Sequence, residues 1–303
     1  MSVAASSPLM VVALGGNAIT PPAGDLSFAT EREVIERAVS ELAGLARRGW
    51  RLLVVHGNGP QVGRLLAAPG FGDSERLDVH VAQTQGEIGY LLAEALDHEL
   101  GGAAGVAIIT RVLVDAGDPA FAQPTKPVGA VLSSKPAGVA SLPTPDGRGW
   151  RRVVASPRPL AVIEAEAIRT LLATGHVVAG GGGGVALAQT AGVRRAQPAV
   201  IDKDWVAALL AVALRAECLL FVTDVSHAFD QFGASDQQAI HRMTVAQARE
   251  RLAHHVFAPG SMAPKVESAV QFASATARPA VIATLGAIEG ALSGTTGTTI
   301  VPA

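Results

Sequence analysis

The chain has 303 residues, 49% of them hydrophobic and 17% charged, with a formal net charge of −2. That length suits one large α/β domain, the apolar fraction argues against disorder, and the balanced charge offers no general attraction for nucleic acid. A single cysteine, Cys218, excludes an intrachain disulfide and a cysteine-based metal cluster.

Residues 9–16, LMVVALGG, form the first apolar run, and it ends in glycines. A helical stripe follows at 30–48, where Val34, Ile35, Ala38, Val39, Leu42 and Leu45 share one face. Acids open that helix, Arg47 and Arg48 close it, and Gly49 stops it. A second strand at 51–57 (RLLVVHG), a helix at 83–100 and a third strand at 106–114 (VAIITRVLV) come next. Residues 117–159 break the rhythm with many prolines and glycines. Long connections of this kind serve function, and Trp150 with its flanking valines predicts a packed flap over the sheet's C-terminal edge. The alternation then resumes with a helix at 160–174, a strand at 176–182, a helix at 203–216 and a strand at 218–225. Helices at 244–254 and 264–275 and strands at 279–285 and 298–302 complete the chain. Near-continuous apolar strands alternating with helices predict a mainly parallel, doubly wound α/β sheet covered on both faces. The N-terminal segment lacks a basic n-region, and no stretch has about 18 uninterrupted apolar residues, so a soluble cytoplasmic protein away from membranes is expected.

Three glycine-rich turns leave buried strands: Gly15-Gly16-Asn17, Gly57-Asn58-Gly59 and Gly180 to Gly184, which includes Gly181 and Gly182. On one edge of a parallel sheet such turns can cradle phosphate or an acyl anion with backbone amides and helix dipoles. None matches a Walker loop or a dinucleotide fingerprint, which disfavours both classes. The chain has four lysines, and Lys126 (PTKPVG), Lys203 (VIDKDW) and Lys265 (GSMAPKV) occupy settings unlike solvated surface. Three such cations suit a phosphoryl group in flight, whose charge lies on its equatorial oxygens. Asp202 and Asp204 could bind a metal, hold lysines in place or cap the helix that begins near 204; Asp204 reads best as the carboxylate that orients Lys203 or Lys265, and Asp202 as a helix cap. His56 could orient Asn58, meet an anion or simply be satisfied by backbone. Cys218, in CLLFVTDV, reads as a core thiol. His254-His255 has no partner spacing for a metal.

The ordered set VVALGGNAI, VVHGNGPQVG, AQTQGEIGYLL, PTKPVG, RGWRRVV, GGGG, AVIDKD, TDV, FAPGSMAPKVESAVQFA and a final TTIV closely resembles the carbamate kinases of the amino acid kinase superfamily. The likeness runs from about residue 9 to 302. It implies a single three-layer αβα sandwich over 1–303 with an open sheet, a small subdomain protruding at 117–159, and a homodimer. It also implies reversible phosphoryl transfer between MgATP and carbamate, giving carbamoyl phosphate and ADP, often run toward ATP in arginine or purine-derived carbamoyl breakdown. Gly15, Gly16, Asn17, Gly57 and Asn58, with Gly59, would then line the carbamate and γ-phosphate region. Lys126 would reach in from the subdomain, Lys203 and Lys265 would hold the transferring group, and Asp204 would organise them. Thr223, Asp224, Gly260, Ser261 and Met262 would meet the nucleotide, and Mg²⁺ would be carried by that nucleotide without a dedicated protein cage.

The chain departs from the family after TDV, where Phe232, Ala234 and Ser235 replace a tyrosine, a lysine and a proline beside the nucleotide. Ala155 replaces a proline, and Gly184-Val185-Ala186 follows the glycine run where Ile-Pro-Val is usual. Two other readings stay open. One is a kinase of the same fold for another small carboxylate or phosphate, with Arg148, Arg151 or Arg152 as the extra cation. The other is a non-catalytic nucleotide-binding homologue.

Overall fold

The structure, a computed structural model, describes residues 7–20, 28–68, 76–144, 147–190 and 192–303. The side chains of Asn17 and Phe28, and residues 145 and 146 of the flap, lie outside the described residues.

Eight strands form the central sheet in the order Arg242–Thr244, Thr298–Val301, Ala280–Thr284, Cys218–Thr223, Leu9–Leu14, Arg51–His56, Val177–Gly181 and Gly105–Ile108. All neighbours pair parallel except Ala280–Thr284 with Thr298–Val301. The period-2 geometry of a strand splits its side chains between two cores. Along Leu9–Leu14, Val11 and Ala13 face a core built with helices Ala165–Ala173, Lys203–Ala213, Val245–Ala253 and Met262–Thr276. Met10, Val12 and Leu14 face the opposite core, built with Phe28–Arg47, Leu77–Leu100 and Ile288–Leu292. Helices on both faces of a mainly parallel sheet make three layers. Helix Phe28–Arg47 ends where expected, with Gly49 at φ 91°. Val245–Ala253 begins with a capping box between Thr244 and Gln247. Among the described residues no helix is long and apolar enough to cross a membrane.

Two expected elements are corrected. The run 106–114 is two strands: Gly105–Ile108 ends the central sheet, and Arg111–Val114 enters a separate four-stranded sheet with Pro159–Val162, Val185–Thr190 and Val193–Ala196. The side chain of Gln85 fixes the break. Its Oε1 accepts from the Thr110 amide at 2.8 Å, and its Nε2 donates to the Thr110 carbonyl at 3.2 Å. The expected helix 160–174 begins only at Ala165, because Pro159–Val162 pairs antiparallel with Arg111–Val114. Glu164 holds that junction by accepting from both the amide and the guanidinium of Arg111 at 2.7 Å.

Within 117–159 lies a three-stranded antiparallel sheet ordered Lys126–Leu132, Trp150–Val154, Ser141–Pro143. It meets helix Gly59–Ala67 through two glycines. A Cβ on Gly63 would sit 2.0 Å from the Gly129 Cα, so the two backbones touch without side chains between them. Val128 and Val154 complete a small core there with Val62, Leu66 and Val81.

Candidate active site

Four adjacent parallel strands end at one edge, and the chain continues from them into Gly15, Gly57, Gly182 and Asp224. Open α/β sheets bind ligands along such an edge, where the strand ends leave a crevice. The turns are locked to one another. The amide of Gly15 donates to Val222 O at 2.9 Å, Gly57 to Leu14 O at 3.0 Å, and Gly182 to His56 O at 2.7 Å. Those three amides therefore hold the turns, and the first two turns run directly into helices Gly16–Ile19 and Gly59–Ala67, whose starts leave amides without an intrahelical partner. Gly15 is required because a Cβ would approach Val222 O to 2.9 Å. Gly182, at φ 60°, makes room for the Asn58 amide, whose Nδ2 donates to Thr84 Oγ1 at 2.9 Å.

These turns floor a cleft of about 300 Å³ that Lys126, Lys203, Lys265, Asp202, Asp204 and Arg151 also line. Lys203 opens helix Lys203–Ala213, a position where the helix dipole disfavours a cation. Carboxylates offset this. Asp204 accepts from Lys203 Nζ at 2.5 Å on one oxygen and from Lys265 Nζ at 3.2 Å on the other. Asp202 caps the helix by accepting from the Asp204 amide at 2.9 Å, and it also receives Lys126 Nζ from the flap. Burial alone would raise Asp202, but Lys126 and Lys203 outweigh it and hold the carboxyl far below the usual carboxylate range. Burial, then repulsion from Lys265, pulls the Lys203 ammonium below its ordinary value despite Asp204. Lys265 goes the other way: burial would lower it, and Asp204 with Asp202 more than compensates. The cleft thus holds two ammonium groups clamped on one carboxylate and a third that ties flap to core.

Of the residues expected from sequence, Gly15, Gly16, Gly57, Asn58, Gly59, Gly182, the three lysines, Asp204, Thr223, Asp224, Gly260 and Ser261 all line this cleft. The backbone of Asn17 lies in the short helix Gly16–Ile19 beside it. Gly181 does not line it. It packs on the His56 imidazole, which a Cβ there would approach to 2.6 Å. Phe232 and Met262 lie in a separate apolar depression with Val225, His227, Phe229 and Phe257, and Ser261 borders both spaces. Phe232, 61% exposed, is set beside Phe229 by the hairpin Ala228–Asp230 and Gln238–Ile240, which Arg251 braces through both Asp230 oxygens at 2.9 and 3.0 Å. Asp202 makes the expected cap and also holds a lysine, the role the sequence left open for either acid. The signal was the alternation Asp202-Lys203-Asp204, two acids with more than one cation to serve.

His56 does not border the cleft. It is fully buried, and burial pushes its imidazole down to about 4, with the Gly57 carbonyl 3.1 Å from Nδ1 opposing. Between about pH 6.5 and 4 the unfolded chain binds this proton and the native chain does not, so stability falls with falling pH. The slope is about 1.4 kcal/mol per pH unit from this group. His56→Gln should flatten that part of a denaturation-midpoint profile between pH 4 and 6.5; an unchanged slope would assign the loss to other groups.

A fold with helices on both faces of a parallel sheet, and lysines gathered at its C-terminal edge, defines a phosphoryl-transfer scaffold. The chain belongs to the amino acid kinase family, whose model matches residues 8–284. It is similar to the carbamate kinase of Halobacterium salinarum, 40% identical over 97% of this chain and 98% of that one. In structure it is similar to the carbamate kinase of Giardia lamblia bound to citric acid, with TM-score 0.90 and 33% identity over 99% of this chain and 100% of the other. The same Giardia enzyme bound to AMP-PNP gives TM-score 0.88 at the same identity and coverage.

Proposed function

We propose that this chain is a carbamate kinase, transferring a phosphoryl group reversibly between MgATP and carbamate. The observation that carries the reading is the shared clamp of Lys203 and Lys265 on Asp204, at the mouth of glycine-rich turns. In that direction a carbamate oxygen forms the new bond to the γ-phosphorus as the bridge to the β-phosphate breaks, and ADP leaves with the bonding pair. Lys203 and Lys265 face the equatorial oxygens, whose charge they neutralise. Phosphates in the cleft would leave the base to the apolar depression across Ser261, where Phe229 and Phe232 offer aromatic faces.

Magnesium fits this site as the nucleotide's companion. Among the described residues no three acid, histidine or cysteine groups form a cage, and Asp204 is already shared by two ammonium groups. Phosphate oxygens would supply most of its ligands, with Asp224 the cleft carboxylate on the nucleotide side. Bound there, the ion neutralises phosphate charge. The homodimer and cytoplasmic setting that the resemblance implies belong to the same reading.

The test is ATP formation from ADP, Mg²⁺ and carbamoyl phosphate by the purified protein. Turnover that Lys203→Ala reduces by at least about a hundredfold is expected. Saturable ATP binding without turnover would move the acceptor to another small carboxylate or phosphate.

A further inference from the structure

The cations of the cleft are not equivalent. Lys126 is held by Asp202, and Lys203 and Lys265 by Asp204. Arg151 lines the same cleft, yet among the described residues no carboxylate pairs with it. Among the described residues its one hydrogen bond runs from Nη2 to the carbonyl of Gly129 at 2.8 Å, and its buried Nε has no partner. Burial lowers its guanidinium with nothing acidic to offset the effect. A cation withdrawn from water and left without a counter-charge is costly unless a ligand supplies one.

The backbone explains how it is held. Arg151 sits on Trp150–Val154, opposite a register shift between Val128 and Leu132 in the neighbouring strand. Gly129 lies in that irregularity at φ 72°, which turns its carbonyl out of the ladder and toward the arginine. Bulges commonly re-aim groups beside a site in this way. Gly129 is in turn pressed against Gly63 of helix Gly59–Ala67, so the arginine is referenced to the core through two glycines.

We infer that Arg151 is a substrate-binding residue that meets the acyl end of the small anion, opposite the lysines that hold the phosphoryl group. This rests on the carbamate kinase reading and names the residue that recognises the acceptor. A guanidinium presents paired N–H donors in a plane that matches a carboxylate, and it stays charged when partly buried. It donates to the acyl oxygen that does not attack, which fixes the plane of the acceptor. Lys126, beside it on the flap, remains with Asp202 and the phosphoryl oxygens.

The experiment is steady-state ATP formation by Arg151→Gln alongside the wild type. The KM for carbamoyl phosphate should rise about tenfold or more, as for a lost charged hydrogen bond, with the KM for ADP within about twofold. Millimolar guanidinium added to Arg151→Ala should restore part of the loss. Equal rises in both KM values, or no rise for carbamoyl phosphate, would overturn the assignment. A readout on wild-type protein covers a variant that fails to fold: modification of Arg151 by phenylglyoxal, followed by peptide mass spectrometry. Carbamoyl phosphate should protect Arg151 and ADP alone should not; absence of protection by carbamoyl phosphate would overturn the proposal. If the wild type makes no ATP, the activity reading falls by itself, and protection by inorganic phosphate still decides whether Arg151 meets an anion.

Discussion

Asp204→Asn should lower the turnover of ATP formation by about two to three orders of magnitude while leaving a folded protein. Asp204 is the single carboxylate between two buried ammonium groups, 2.5 Å from Lys203 and 3.2 Å from Lys265. An amide keeps the shape and can accept from one of them, but it removes the charge that keeps both protonated. Lys203 should yield first, since burial and Lys265 already pull it below 10.5. A neutral amine there cannot balance charge on a phosphoryl group. The sign in pH follows. Turnover needs protonated Lys203 and is lost as pH rises through its pKa, so the alkaline limb of the kcat profile should move to lower pH in the variant. Breaking a buried ion pair costs about 3–5 kcal/mol when the charge stays unpaired, and deprotonation of one lysine relieves part of that. The midpoint of thermal unfolding and the kcat profile measured together decide the matter. A profile with an unmoved limb would mean that Asp204 serves the fold and leaves the charge of the lysines alone.

What could be read from the sequence follows from what each signal depends on. The strands Leu9–Leu14, Arg51–His56 and Cys218–Thr223 are buried on both faces, so their apolar runs are nearly unbroken and mark themselves. The break at Thr110 is made by Gln85, 25 positions away, and no local pattern in VAIITRVLV carries that tertiary bond. The strand Pro159–Val162 escaped for a similar reason, since its partner Arg111–Val114 decides it. At the site, Lys126, Lys203 and Lys265 stood out because lysines are few and these lie among prolines, acids and a turn. Gly181 was grouped with phosphate-facing glycines because its neighbours are glycines; only the imidazole of His56 packed on it explains its own small size. Phe232 and Met262 read as nucleotide residues, and the structure gives them a space of their own next to the cleft. Arg151 was one of three arginines in RGWRR that sequence could not separate: Arg148 lies before strand Trp150–Val154, Arg151 and Arg152 alternate along it, and of the three Arg151 lines the cleft.

Gly63→Ala should cost about a hundredfold in turnover with little loss of the core. Its Cβ would fall 2.0 Å from Gly129 Cα and 2.1 Å from Gly129 N, both backbone atoms, so no rotamer change relieves the overlap. One of the two elements must move. Helix Gly59–Ala67 follows directly from the Gly57 turn and buries Val62 and Leu66, whereas the strand Lys126–Leu132 ends largely exposed. The flap is therefore the part that gives way. It carries Lys126 and Arg151, and a displacement near 1 Å of groups aimed at a reacting centre costs about two orders of magnitude. Overpacking a close contact costs about 1–3 kcal/mol, a modest change in unfolding midpoint for a chain of this size. The disproportion between activity and stability is the diagnostic. Combined with Arg151→Gln, the loss in kcat/KM for carbamoyl phosphate should be less than the product of the two single losses, since both disturb Arg151. Wild-type turnover in Gly63→Ala would mean that the Lys126 pair with Asp202 alone sets where the flap sits, and the glycine contact would then be a consequence of that tie.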